Sequence, residues 1–155
     1  MQMGQLFKIG FINENMLAKT KAEALNELVN TLIKGGINLD SADVVDVLQQ
    51  REKLGSTGIG DGLAIPHGKI STLDEIVVAF GRSENGVDFD SLDGKPVHIF
   101  FLLLAPENSV GRHLKVLARI SKMIKIANFR QKLIRTELKS DLYKLIIEQN
   151  GTCPL

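Results

Sequence analysis

A chain of 155 residues has the length of one ordinary domain, and 44% hydrophobic with 24% charged residues is the balance of a soluble globular fold. Nineteen basic against eighteen acidic residues leave a net charge of +1, which gives no electrostatic case for a nucleic-acid-binding domain, and no apolar run approaches the roughly 20 residues of a bilayer span. The start MQMGQLFKIG lacks the basic head and apolar centre of a secretory signal, so a cytoplasmic protein without membrane insertion is expected, and a lone Cys153 allows neither an intrachain disulfide nor a cysteine metal cluster.

Thr20-Lys-Ala-Glu23 fits a capping box, and Ala24, Leu25, Leu28 and Leu32 follow at helical spacing until Gly35 and Gly36 stop the helix. A second helix starts at Asp40 or Ser41, buries Val44, Val45, Val47 and Leu48, carries Arg51 in its last turn and ends near Lys53. Five glycines between Gly55 and Gly68 exclude a helix there, and Leu63 to Ile65 reads as a short strand between two loops. Residues 76–80 and 97–104 are strands, separated by turn signals at Glu84-Asn85-Gly86 and Asp93-Gly94. His113, Leu117, Ile120 and Ile124 form one stripe of the next helix, with helical stretches at 128–134 and 140–149 behind it. In this late region Arg112, Lys115, Arg119, Lys122, Lys125, Arg130, Lys132 and Arg135 occur with no acid before Glu137, a solvated face or a local basic surface. Helices at both ends of three or four strands predict a single α/β sandwich.

Several site classes fail on spacing. A P-loop ending at Gly68-Lys69 requires glycine at Leu63 and a hydroxyl at Ile70, and the dinucleotide fingerprint fails from Gly58 and from Gly60, where its last glycine falls on Leu63 or Ile65. His67, His98 and His113 form no short metal-ligand pair, and no G-x-S-x-G nucleophile elbow occurs. What remains is the stretch GDGLAIPHGK. Pro66 fixes its own backbone and biases Ile65 to extended structure, so His67 projects rigidly from a strand end, while Gly68 lets a ligand or partner approach. An imidazole with a pKa of about 6.5 is largely neutral at cell pH and can attack a phosphoryl group; a lone histidine in a turn can equally be inert. His113 near a helix start and Arg51 at a helix end are both suited to phosphoryl oxygens, although each also has an ordinary helix-end role. Ser56, Thr57 and the amides from Gly58 to Gly62 are further candidate donors to an anion pocket.

The pattern RE…STGIGDGLAIPHGK from Arg51 to Lys69, with DSLDGKPVHIFFLLLAPE from Asp90 to Glu107 and HLKVLARIS from His113 to Ser121, resembles the IIA domain of the fructose/mannitol class of the bacterial sugar phosphotransferase system. The resemblance spans nearly the whole chain and implies one domain over 1–155, ordered from about 6 to 149, with a mixed five-stranded sheet flanked by helices on both faces. It implies that His67 accepts a phosphoryl group from the carrier HPr or its nitrogen-type counterpart, with His113 and Arg51 stabilising that group and no metal or nucleotide cofactor. The acceptor or target is then a IIB domain, or a regulated kinase or transporter. The wording TGIGDGLAIPHGK and VDFDSLDGKPVHI is similar to nitrogen-regulatory members, which favours regulation over the uptake step; an interaction module without chemistry is the third reading. A protein donor also requires an apolar rim, for which Leu54, Ile59 and Leu63 are candidates, each equally suited to the core.

Overall fold

The computed structural model describes residues 3–152. Two short 3-10 turns, Met3–Gln5 and Ile9–Phe11, lead into β1, Ile12–Asn13. Helix α1, Lys21–Lys34, begins as its capping box dictates: the Thr20 hydroxyl accepts the Glu23 N–H at 3.3 Å and the Glu23 carboxylate accepts the Thr20 N–H at 3.2 Å. Gly35 ends it where any Cβ would stand 2.5 Å from the Phe11 ring, and Gly36 takes the left-handed φ of +104°. Helix α2, Ser41–Lys53, is capped by Asp40, whose carboxylate accepts the Asp43 N–H at 3.1 Å. Val44, Val45 and Leu48 enter the core as expected, whereas Val47 is only half-buried and borders a surface cleft.

The sheet is mixed, with strand order β1–β5–β6–β3–β2 and β4 also paired to β6. Its strands are β2 (Gly58–Gly60), β3 (Leu63–Ala64), β4 (His67–Lys69), β5 (Val77–Val87) and β6 (Val97–Ala105). The stretch expected to be loop, short strand, loop thus holds three short strands. Strands β3 and β4 lie on the same edge of β6 with the same offset, Leu63 opposite Ile99 and His67 opposite Leu103, so they are one strand interrupted at Ile65-Pro66. Counted that way, the sheet has the five strands of the expected sandwich. Residues 99–105 are buried without alternation, as in a strand covered on both faces. The turn expected at Glu84-Asn85-Gly86 is instead a bulge inside β5: the strand advances from Arg82 to Val87 while β6 advances only from Ile99 to Val97. Gly86 supplies the required positive φ of +88°, so the turn chemistry is present but spent within the strand.

Helices α3 (Val110–Ile124), α4 (Ala127–Arg135) and α5 (Lys139–Thr152) complete the sandwich, burying Val116, Ile120, Ile124, Phe129, Leu133, Leu142 and Ile146. Edge-to-face pairs Phe80–Phe101 and Phe89–Phe100, with centroids 5.3 and 5.4 Å apart, each add about 0.5–1.5 kcal/mol to the burial of these rings. Among the described residues no helix is long and apolar enough to cross a membrane, and Cys153 lies outside them.

Gly68 sets the distance between β4 and α2. A Cβ there would meet the Val47 side chain at 3.0 Å and Leu48 at 3.4 Å, so only glycine brings this strand so close to the helix that carries Arg51. Gly68→Val is expected to cost about 1–3 kcal/mol through overpacking, read as a lower urea midpoint at unchanged m-value.

Candidate functional site

The His67 ring stands half-buried directly after the interruption, as the first residue of β4, and not at a strand tip as expected. Its Nδ1 lies 2.9 Å from the Ile65 carbonyl. A carbonyl only accepts, so Nδ1 carries the proton and Nε2 keeps its lone pair. The Ile65 carbonyl is available because it faces away from β6: the Gly62 and Pro66 carbonyls accept the Ile99 and Leu103 N–H groups at 3.0 Å, and by alternation Ile65 points to the opposite edge, where its N–H bonds the Thr57 carbonyl.

His67 and His113 meet edge to face with ring centroids 5.6 Å apart. They line a cleft of about 470 Å³ together with Arg51, Gln50, Lys69, Leu54, Val110 and Leu114, and no carboxylate is among its lining residues. His113 is buried in the first turns of α3, and its Nδ1 is enclosed without a hydrogen-bond partner. Ser109 precedes this helix without a side-chain cap, so its first amides are free for an anion. Arg51 donates from Nη1 to the Gly55 carbonyl at 2.9 Å, which folds the end of α2 and leaves the rest of the guanidinium to the cleft.

Both imidazoles are held below their ordinary pKa of 6.5. Burial is the main cause at His67, with the Arg51 charge adding to it and the Ile65 bond and Glu52 opposing it. At His113 burial again leads, followed by His67 and Lys69. Two neutral rings therefore face each other at pH 7.

The structure thus brings His67, His113 and Arg51 to one cleft and does not bring Ser56 and Thr57 there. The Ser56 hydroxyl donates to the Phe89 carbonyl at 2.9 Å and accepts the Gly58 N–H, and the buried Thr57 hydroxyl donates to Glu52. Neither hydroxyl is available as a pocket donor. His98 lies apart near the start of β6, its Nδ1 donating to the Ser83 carbonyl at 2.8 Å, so the three histidines do not converge. Of the three candidate rim residues, Leu54 is 84% exposed at the cleft, Ile59 is off it, and Leu63 is core. Val110 and Leu114, exposed by 50% and 61%, also line the cleft, a place that a helical stripe drawn through His113 hides because it assigns the neighbouring positions to solvent. Glu52 and Lys69, next to Arg51 and Gly68, carry no separate signal in the sequence. Arg112, Lys115, Lys125, Lys132 and Arg135 are exposed on α3 and α4 and the turn between them, and none forms an ion pair with a described residue.

Comparison with known proteins fits this geometry. Residues 5–149 match the family described as phosphoenolpyruvate-dependent sugar phosphotransferase system, EIIA 2. The chain is 45% identical over 103 residues to a nitrogen regulatory protein of Bradyrhizobium diazoefficiens, covering 66% of this chain and 67% of that one. It is 35% identical over 146 residues to the fructose-specific EIIABC component of Bacillus subtilis, covering 94% of this chain but only 23% of that longer protein. The crystal structure of nitrogen regulatory protein IIA-Ntr from Neisseria meningitidis superposes with a TM-score of 0.86 at 35% identity, over 93% of this chain and 98% of that one. The protein belongs to the EIIA type 2 family of the phosphotransferase system.

Burying two neutral imidazoles has a pH consequence of definite sign. Below about 6.5 the unfolded chain takes up protons at these histidines before the folded one does, so their contribution is fully present above that pH and is lost as pH falls toward the folded pKa values. The urea midpoint is expected to fall between pH 7.5 and 5.5, and His67→Gln with His113→Gln to flatten that slope.

Proposed function

We propose that this protein is a phosphoryl carrier that takes a phosphoryl group on Nε2 of His67 from the phosphohistidine of an HPr-type protein, and that it works as a nitrogen-type regulator. One observation carries the reading: the Nδ1–H bond to Ile65 leaves the lone pair of Nε2 free on a ring that lines a cleft with Arg51 and Lys69 but no carboxylate. In the transfer the Nε2 lone pair forms the new P–N bond as the donor's P–N bond breaks and its electrons return to the donor ring. His67 gains positive charge as it bonds phosphorus, and the Ile65 carbonyl, already accepting its Nδ1–H, stabilises that charge.

The rest of the cleft meets the needs of phosphoryl transfer, which depends on positioning and charge stabilisation. Arg51 offers planar donors to the equatorial oxygens, and the uncapped first amides of α3 offer neutral ones. Keeping His113 neutral avoids a cation that would hold the anion too tightly for onward transfer. Exposed Leu54, Val110 and Leu114 give a protein partner apolar surface around the reacting atom. Identity to proteins named nitrogen regulatory favours control of partners such as kinases or transporters. Similarity to the fructose-specific component supports a second reading, delivery to a IIB domain for sugar uptake. Copurification from native cells separates the two: a IIB or IIC partner supports uptake, a kinase or ion transporter supports regulation.

Mixed with enzyme I, HPr and labelled phosphoenolpyruvate, the wild type is expected to gain an acid-labile label and His67→Ala none. Arg51→Ala and His113→Ala are expected to slow labelling by roughly ten- to a thousandfold, the range for loss of one charge-stabilising donor. Full-rate labelling of His67→Ala overturns the assignment.

A further inference from the structure

Glu52 follows Arg51 at the end of α2, and its side chain is only 4% exposed. A buried carboxylate is costly unless it is paired and its lone pairs are used. Here both oxygens are engaged. Oε1 accepts the Thr57 N–H at 3.0 Å and faces Lys21 Nζ at 3.1 Å, while Oε2 accepts the Thr57 hydroxyl. Lys21 also reaches Asp90 at 3.6 Å and stands 4.9 Å over the Phe89 ring, so the counter-ion is itself fixed.

The bonds continue past Thr57. Its carbonyl accepts the Ile65 N–H at 3.0 Å, and the Ile65 carbonyl accepts the Nδ1–H of His67 at 2.9 Å. Three successive contacts therefore run from a buried carboxylate to the phosphoryl acceptor: Glu52 to Thr57, Thr57 to Ile65, Ile65 to His67. Pro66 stiffens the last of them by fixing the backbone between carbonyl and ring.

We infer that Glu52, with Lys21 as counter-ion, is a positioning residue of the transfer site: it holds Thr57, Thr57 holds the Ile65 backbone, and the Ile65 carbonyl selects the Nδ1–H tautomer that leaves Nε2 nucleophilic. The inference rests on the reading of His67 as phosphoryl acceptor. Without a fixed acceptor at Nδ1 nothing keeps the proton on that nitrogen, and a fraction of the rings carries it on Nε2, where attack is blocked. The negative charge of Glu52 also opposes the depression of the His67 pKa by burial and Arg51, so the same residue maintains the basicity of the nucleophile.

The test compares Glu52→Ala, Glu52→Gln and Thr57→Val in the full chain. Long-range proton–nitrogen spectra report which ring nitrogen of His67 carries the proton. Single-turnover transfer from phosphorylated HPr gives the rate at saturating donor and the donor concentration for half-saturation. Glu52→Ala is expected to mix the tautomers and to lower the saturating rate by roughly 10- to 100-fold, as loss of an outer hydrogen-bond partner does at histidine sites, with half-saturation unchanged because the cleft rim is untouched. Glu52→Gln, whose amide can accept the Thr57 N–H and donate to its hydroxyl, is expected to restore most of both readouts, and Thr57→Val to show a smaller loss in each. A folded Glu52→Ala protein with wild-type tautomer and rate overturns the inference, as does an equal loss in the Ala and Gln variants at unchanged tautomer. If Glu52→Ala does not fold, Thr57→Val decides by the same criteria. If the wild type accepts no phosphoryl group, the proposed function fails, and the tautomer spectra alone decide the positioning role.

Discussion

Strand β6 is bonded along both edges, antiparallel to β5 on one side and parallel to the 63–69 segment on the other, and on that second side the register is the same before and after Pro66. A proline inside a paired strand normally disturbs the ladder, because it has no N–H to give. Here the loss is confined to the one N–H that Pro66 lacks toward β6: its carbonyl still accepts the Leu103 N–H, while Ile65, one residue earlier, faces the opposite edge, where its N–H bonds Thr57. On that opposite edge the Ile65 carbonyl, held in place by the rigid Pro66 backbone, accepts the Nδ1–H of His67. The tautomer of His67 and the location of its lone pair follow from that contact, and the unbroken register carries the strand on to Gly68, whose missing Cβ lets it approach α2.

Much of this architecture is legible in the sequence because it is local. The capping box at Thr20 and Glu23, the Asp40 cap, the His113 stripe and the apolar run of β6 act within one or two turns or along one strand, so residue type and spacing reveal them. The features that were not legible depend on contacts distant in sequence. Gly86 carries the same turn chemistry in a bulge as in a hairpin, and only the pairing of β5 with β6 distinguishes them. Ser56 and Thr57 look like pocket donors by adjacency to a glycine-rich loop, yet Phe89 and Glu52 claim their hydroxyls. The role of Lys21 toward Glu52 is hidden for the same reason, since it joins the first turn of α1 to the last of α2.

As the proposed phosphoryl site, the cleft combines two demands that usually conflict. A pocket for a doubly charged group favours many cations, whereas a carrier must release its cargo. The arrangement resolves this with one guanidinium already half-engaged by Gly55, one exposed lysine, and two imidazoles kept neutral by burial. Neutral donors stabilise developing charge through fixed dipoles and retain less of the ground-state anion than full charges would. The apolar rim gives the partner surface contact that does not compete for the phosphoryl oxygens.

The distribution of charge over the molecule has a consequence for encounters in solution. Eight cations and no acid occupy residues 112–135, which leaves eleven cations against eighteen acids in the remainder, so the charge of a nearly neutral protein is divided unevenly, with the α3–α4 segment cationic. A cationic segment of this kind responds to the field of an approaching charged body before the surfaces touch. Helix α3 bears both part of this cationic run and His113, which borders the cleft, so a partner drawn to the run is drawn toward the cleft as well. The effect reaches about 8 Å at physiological ionic strength and several times farther in dilute salt, making the orientation of first contact, as distinct from the chemistry that follows, a property of the ionic medium.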